Sequence, residues 1–383
     1  KQKVDIQKLF ADKNYEGKYL KVSAPMVRYS KLEFRTLLRK NDVDLCFTPM
    51  IMADSFCQSD NARQNEFTTN MDDSPLIVQF ASKTSRDILV ATEMVYNYCD
   101  GVDLNCGCPQ KWAVTSGYGC AMLKEPSLLC DIVQTLKRNM PNSFSISLKL
   151  RLLQKDTKST IDLCRQLEKT GVTFLTVHGR TPWQKSSEPA DMEAIAEIKK
   201  SLQIPLIANG DVKTLQNAND IYDLTKCDGV MAARGLLSNP TLFTGSPSTT
   251  RECIQDWVDL GYNVQDRITF MCFHHHLTFM MEKFMRKKQR QLFNNFTQKQ
   301  QVYDFLESEF DITPSACKVL ENLECSYDNN LYLRRSNEYN DICKTTNRNG
   351  KFFDEFCNLN CDSNSDDCLD NLDIMGSSIF NMN

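Results

Sequence analysis

Four things are missing from this 383-residue chain, and each closes off a class of protein. No apolar run approaches the ~20 residues that a membrane span needs, so no contact with a membrane is expected. The opening segment Lys1 to Lys18 is polar and charged, unlike a secretory leader, and the absent initiator Met reads as a trimmed or partial N-terminus. No glycine-rich dinucleotide turn follows the first strand candidate, which ends instead in Ser23-Ala24-Pro25-Met26-Val27. Strong charge of one sign is also missing. Of the net −4, the part from Thr313 onward carries 6 Lys+Arg against 12 Asp+Glu, a net of −6, which leaves the first 312 residues near +2. That balance neither demands nor excludes a polyanionic partner. The 17 cysteines are scattered through apolar patterns in a chain too long to need a disulfide framework. They point to a reducing setting, cytoplasmic or nuclear, with free thiols.

What is present is an alternation. Short β-branched runs at Lys21–Ala24, Leu45–Thr48, Leu76–Phe80, Gly101–Leu104, Ser145–Leu150, Phe174–Val177, Pro205–Ala208 and Gly229–Ala233 are separated by amphipathic stretches. Examples are Ile88, Ala91, Val95 and Tyr98, and Leu128, Leu129, Ile132, Val133 and Leu136. Ser127 and Asp191 stand where helix N-caps are expected. Eight strands alternating with helices over roughly 225 residues predict a (β/α)8 TIM barrel at 18–245, in preference to a doubly wound sheet. Residues 1–17 form a lead-in. Past the linker Gly245-Ser-Pro-Ser-Thr-Thr250, a C-terminal helical domain is predicted at 246–312, with Leu277, Met280, Met281 and Phe284 on one apolar face. The Asn- and Asp-rich tail at 313–383 is expected to be disordered. Its Cys357, Cys361 and Cys368 lack a fourth ligand at finger-like spacing.

In such a barrel the chemistry sits at the C-terminal ends of the strands. Those positions hold Pro25, Gln79, Asn105, Cys108, Lys149, Arg151, His178, Arg180, Asn209, Asp211 and Arg234. Any one has a bland explanation, as a solvated strand end or a satisfied core histidine, but their convergence on one rim is hard to attribute to packing. Cys108 stands before Pro109, which fixes its own φ and pushes the cysteine into an extended pose on a turn just past a strand. Burial as a small hydrophobe, or half of a metal site with Cys106, are the competing readings. The second fails for want of further ligands on the rim, so no metal is expected. Asn209-Gly210-Asp211 and Ala233-Arg234-Gly235 follow strands seven and eight, where barrels commonly hold phosphate, and Arg234 adds a forked cation. A phosphorylated cofactor in the mouth is the natural inference, with His178 and Lys149 reaching it from strands six and five.

The segments Ala24-Pro25-Met26, Asp103 to Pro109, Lys149-Leu150-Arg151, Val177 to Thr181, Ala208 to Asp211 and Met231 to Pro240 run in order through the whole barrel. Together they resemble the tRNA-dihydrouridine synthases, flavin enzymes that reduce uridine in the D-loop of tRNA. Cys-Gly-Cys-Pro-Gln-Lys-Trp112 and the later Met-Ala-Ala-Arg-Gly235 resemble the eukaryotic branch acting at positions 20a and 20b. The resemblance implies FMN held by Pro25, Met26, Val27, Gln79, Lys149, His178, Asn209, Gly210, Asp211, Ala233 and Arg234. It also implies reduction of FMN by NADPH or NADH, hydride transfer to C6 of the uracil, and a proton to C5 from Cys108. A thiol near its reference pKa of ~8.5 is mostly protonated at neutral pH and suits that role. Ala233 stands where many relatives carry glycine, and its Cβ is expected to crowd the phosphate turn.

For tRNA contact, Asn105, Lys111, Arg151 and Arg180 on the rim and Lys283, Arg286 and Lys287 on the helical domain are the candidates. His274, His275 and His276 diverge around a helix and read as structural or exposed. A monomer is expected. Two alternatives stand beside this reading: an FMN-dependent oxidoreductase of free pyrimidines, and a tRNA-binding protein without catalysis.

Overall fold

Eight of the predicted β-branched runs form strands, and they pair in parallel in the order in which they occur. The computed structural model describes residues 2–154, 157–264, 267–316, 321–328 and 331–335. The strands are β1 (Leu20–Ser23), β2 (Leu45–Phe47), β3 (Leu76–Ala81), β4 (Gly101–Cys106), β5 (Ser145–Arg151), β6 (Phe174–His178), β7 (Leu206–Asn209) and β8 (Gly229–Ala232). Each pairs with its neighbour in sequence, and β1 pairs with β8, so the sheet closes into a (β/α)8 barrel. A two-residue strand, Ile51–Met52, adds to the outer end of β3.

The register decides what the barrel encloses. Side-by-side partners in a parallel sheet share a face, so one inner layer can be followed strand by strand. Val22 stands beside Leu45, Phe47 beside Ile77, and Gln79 beside Asp103. Asp103 neighbours Ser147, Asn105 neighbours Lys149, and Lys149 neighbours Thr176. Arg151 then meets His178, His178 meets Asn209, Asn209 meets Met231, and Met231 returns to Val22. The inner face is therefore apolar on β8, β1 and β2, and polar toward the C-terminal ends of β3 to β7, with Ile77 and Ile207 deeper on the same face. The alternate positions Val78, Leu104, Leu148, Leu150 and Val177 are all buried and meet the surrounding helices.

The lead-in closes the opposite end. Asp5 caps helix Ile6–Tyr15 by accepting from the N–H groups of Gln7 and Lys8 at 2.9 and 3.1 Å. Phe10 from this helix packs on Phe174 at the start of β6, with ring centroids 5.3 Å apart. Val4 N–H donates to Asp100 and Asn14 to Asp228, both at 2.9 Å and both just ahead of a strand. Chemistry is thus left to the C-terminal mouth. Asp191 caps helix Met192–Lys200 as expected, accepting from Ala194 N–H. Ser127 does not cap its helix: Pro126–Asn139 begins one residue earlier, because proline at the first position already has a helical φ and no N–H to satisfy.

After the barrel come helices Arg251–Asn263, Phe270–Met280, Lys287–Asn294 and Lys299–Phe310. They bury Trp257, Phe273, Phe293 and Phe305. They join the barrel through Phe34, whose ring lies 4.2 Å from His276 and 6.0 Å from Trp257. They also seat on the loop after β1, at the mouth: His276 Nε2 lies 3.2 Å from the Tyr29 carbonyl, and His275 Nδ1 lies 3.1 Å from the Tyr29 hydroxyl. His274 bonds the Phe293 carbonyl at 2.8 Å, so the three histidines are architectural. Phe284 departs from the predicted apolar face. Helix Phe270–Met280 ends before it, and the ring is 41% exposed.

The tail departs from the sequence expectation over its described part. Leu323 N–H donates to the Thr69 carbonyl at 2.9 Å, and the Tyr327 ring packs edge-on to Phe56 and Tyr98. Arg63 lies over the Tyr327 ring, Arg86 donates to the Tyr332 hydroxyl at 2.7 Å, and Arg335 pairs with Glu93. Composition scored this stretch as polar, but a few well-spaced aromatics suffice to anchor it. Cys357, Cys361 and Cys368 lie outside the described residues.

Candidate active site

The backbone around Cys108 is held from several sides at the mouth. The Asn105 carboxamide oxygen accepts from the N–H groups of Gly107 and Cys108 at 3.2 and 3.0 Å, which folds the turn back on the strand end. Arg151 Nε donates to the Gly107 carbonyl at 2.8 Å, and Cys120 N–H to the Cys108 carbonyl at 3.0 Å. Gly119 approaches so closely that a Cβ there would lie 2.5 Å from the Cys108 carbonyl oxygen, and its φ of +61° is one that glycine adopts without strain. The half-buried thiol lies against Met50, Met52, Ala81, Ala113 and Tyr118. Burial pushes its pKa up against the pull of nearby Arg151 and Lys149, so it stays a neutral proton carrier at pH 7.

Behind the turn runs a relay of oriented amides. Buried Asp103 accepts from Ser147 at 2.7 Å and from Gln79 Nε2 at 2.8 Å. Gln79 Oε1 accepts from Asn105 Nδ2 at 2.9 Å, and Asn105 Oδ1 holds the Cys108 turn. A carboxylate only accepts, so Asp103 fixes which end of Gln79 faces Asn105, and hence which end of Asn105 faces Cys108. Burial raises the Asp103 carboxyl to about 6, opposed by the bonds from Gln79 and Ser147 and by the Lys149 charge. Asp103 was not singled out from the sequence. The available signal was a carboxylate in the middle of an apolar strand, two residues from Asn105 and so on the same face.

Across the mouth lies a cationic field. Burial, then Lys149, Arg151, Arg180 and Arg234, hold the His178 pKa well below its ordinary range, so the imidazole is neutral. Burial and the Arg151 charge bring Lys149 down to about 8. Asp211, at φ +52°, takes both oxygens to Arg180, at 2.6 and 2.7 Å, and also accepts from Ala190 N–H. Burial pushes the Asp211 carboxyl up, but the bond and charge of Arg180 outweigh it and hold the pKa below the usual carboxylate range. Gly210, at φ +135°, leaves no room for a Cβ, which would meet Ala190 at 2.7 Å and His178 at 3.3 Å. Ala233 stands just ahead of the short helix Arg234–Ser238, with φ −117° and ψ −90°. Arg234 is exposed and turned toward the Ser186 carbonyl at 3.5 Å.

Several predicted ligand contacts are redirected. Arg180 is only 2% exposed, and its guanidinium is taken up by Asp211, the Glu188 carbonyl and His178, so it stabilises the wall and is not placed for substrate. Arg151 bridges the Gly107 and Thr181 carbonyls, and Asn105 bonds Gln79 and the turn; both position Cys108. Asn209 donates to the Met231 carbonyl at 2.9 Å, and Asp211 faces Arg180, so both side chains are engaged within the wall. Pro25 and Met26 are largely covered while Val27 is 52% exposed. Lys111, Lys283, Arg286 and Lys287 are exposed, the first beside the Cys108 turn and the others on the helical domain.

Comparison with known proteins gives the same region a family. The dihydrouridine synthase (Dus) family model matches residues 22–329. A mouse protein named tRNA-dihydrouridine(20a/20b) synthase [NAD(P)+]-like is 46% identical over 297 residues, covering 77% of this chain and 90% of its own. The human protein of the same name is 45% identical over 299 residues, covering 78% and 93%. A tRNA-dihydrouridine(20a/20b) synthase [NAD(P)+] of Schizosaccharomyces pombe is 41% identical over 269 residues, covering 70% and 81%. The chain belongs to the dihydrouridine synthase family.

Proposed function

We propose that this dihydrouridine synthase family member reduces uridine to 5,6-dihydrouridine in the D-loop of tRNA, at positions 20a and 20b, with NAD(P)H as the ultimate reductant. The observation that carries the reading is the Cys108 turn: a neutral thiol pinned from β4 and β5 at the mouth, facing a rim of cations. The donor set fits FMN. Among the described residues no carboxylate pairs with the positive charges of Lys149, Arg151 and Arg234, and the tight Gly210 turn lies on the same rim. A phosphate satisfies that excess. Pro25, Met26, Val27, Gln79, Lys149, His178, Asn209, Gly210, Asp211, Ala233 and Arg234 would hold the cofactor, the last four largely through the loops after β7 and β8. Reduced flavin, when bound, supplies the hydride that saturates C6 of the uracil.

The chain's own residues supply the rest. Cys108 gives its thiol proton to C5. Asn105 and Arg151 keep that thiol in place, since a misplacement of about 1 Å can cost on the order of 100-fold in rate. Lys149, still largely protonated at neutral pH, stabilises negative charge developing in the mouth. Residues 18–245 form the cofactor-binding catalytic barrel, and 246–312 form a tRNA-contacting domain in which Lys283, Arg286 and Lys287 meet phosphates. Among the described residues no helix is long and apolar enough to cross a membrane. A substrate of tRNA and free thiols support a cytoplasmic or nuclear setting. The test is to purify the chain, record its flavin absorbance, and assay NAD(P)H-dependent dihydrouridine formation in an unmodified tRNA transcript against free uracil and orotate. Turnover of tRNA alone is expected. A yellow protein that acts on the free bases but not on tRNA, or a colourless protein that only binds tRNA, contradicts the reading.

A further inference from the structure

Two of the three tryptophans in this chain are strongly exposed, Trp112 at 49% and Trp183 at 73%, while Trp257 is 1% exposed in the helical domain. A single exposed aromatic needs no explanation. These two share a placement and a mode of support that do. Trp112 lies four residues past Cys108 on the short helix Lys111–Thr115, whose Ala113 packs in the same apolar cluster as the thiol. Its indole N–H donates to Gln110 Oε1 at 2.6 Å, which fixes the ring. Trp183 stands at the tip of the turn Thr181-Pro-Trp-Gln184 after β6. That turn is tied twice, by Thr181 N–H to Gln184 Oε1 at 2.7 Å and by Gln184 N–H to the Thr181 carbonyl at 3.3 Å. One side chain joins the two loops: Arg151 donates to the Gly107 carbonyl at 2.8 Å and to the Thr181 carbonyl at 3.2 Å. Each tryptophan is thus within five residues of a carbonyl on the same guanidinium, and each has an exposed lysine near it, Lys111 and Lys185.

We infer that Trp112 and Trp183 are stacking platforms for the unpaired nucleotides that flank the uridine drawn into the mouth, with Lys111 and Lys185 on the phosphates between them. The inference rests on the reading of tRNA as substrate. A base that enters a barrel mouth leaves its neighbours unstacked, at a cost of a few kcal/mol. Rigid indole faces at the rim replace that lost stacking without the ordering cost of a mobile loop. Every base has a π-face, so such platforms accept any neighbouring sequence. Stacking on an aromatic is worth about 1–3 kcal/mol per base, or roughly 5- to 150-fold in affinity at 1.4 kcal/mol per tenfold.

The tryptophan count makes the test direct, because fluorescence excited selectively in tryptophan reports only these two exposed rings and the buried Trp257. Titration of the full chain with unmodified tRNA transcript is expected to quench that fluorescence saturably. Trp112→Phe/Trp183→Phe should abolish the quench while keeping the KM for tRNA within about threefold. Trp112→Ala and Trp183→Ala should each raise that KM about tenfold, with flavin absorbance and thermal midpoint retained. If the wild-type chain reduces tRNA but neither alanine variant moves KM, the stacking assignment is overturned and the function stands. Quenching that tracks protein concentration without RNA would assign the rings to contact between copies and overturn it likewise. If the wild-type chain neither binds nor reduces tRNA, the functional reading itself falls.

Discussion

Two side chains set the pH behaviour of this site. Burial keeps the Cys108 thiol protonated past its ordinary range, so the proton donor persists as pH rises. Lys149, brought down to about 8 by burial and by Arg151, loses its charge first. The rate of uridine reduction should therefore fall as pH rises through about 8, and Lys149→Arg, whose guanidinium stays charged, should remove that limb; an unmoved limb assigns it to another group. Asp103 gives a second prediction. Asp103→Leu leaves the Gln79 donor without a partner inside the wall, while Ser147 keeps the Val102 carbonyl at 3.5 Å, and should cost roughly 1–3 kcal/mol. Asp103→Asn can still accept from Gln79 while donating to Ser147, so it should retain most of the stability and of the rate. Thermal midpoints together with kcat for the two variants separate orientation from charge.

Among the elements, strands and turns were legible from the sequence to different degrees. Seven of the eight barrel strands were readable to within one residue at each end and β4 to within two, its end at Cys106 lying past the predicted Leu104, because β-branched runs broken by helical spacing constrain a parallel barrel strongly. The rim was readable as a list of positions. What each rim side chain binds was not, because partners such as Arg180 with Asp211, or Gln79 with Asp103, follow from register and from loops that return from far along the chain. The two-residue strand at Ile51–Met52 and the early start of helix Pro126–Asn139 are smaller cases of the same limit. The turn at Cys108 is the element on which function depends most. Gly119→Ala would bring a Cβ to 2.5 Å from the Cys108 carbonyl oxygen, so it should lower kcat at least tenfold with flavin still bound. Arg151→Lys cannot bridge the Gly107 and Thr181 carbonyls with a planar fork and should lower kcat similarly, read from initial rates at saturating tRNA.

The whole molecule places its parts around one opening. The N-terminal helix closes the far end of the barrel, the helical domain sits on the loop after β1, and residues 321–328 and 331–335 tie down helices Ala53–Gln58 and Ser85–Val95. The anchoring of 321–328 and 331–335 was hidden in the sequence because their composition is polar and their contacts rest on few residues, chiefly Tyr327 and Tyr332. Tyr327→Ala should destabilise the chain by about 1–2 kcal/mol, a shift of a few degrees in thermal midpoint. Basic residues on the helical domain should act through screening: neutralising Lys283, Arg286 and Lys287 together should reduce the slope of log affinity for tRNA against log salt by about 2. The central claim is that Cys108, held at the mouth of this barrel, delivers the proton that completes uridine reduction. The most direct measurement compares dihydrouridine formed per bound flavin in an unmodified tRNA transcript by the wild-type chain and by Cys108→Ala, with NADPH in excess. The account predicts equal flavin absorbance and a loss of at least 100-fold in dihydrouridine; equal yields at equal rates would contradict it.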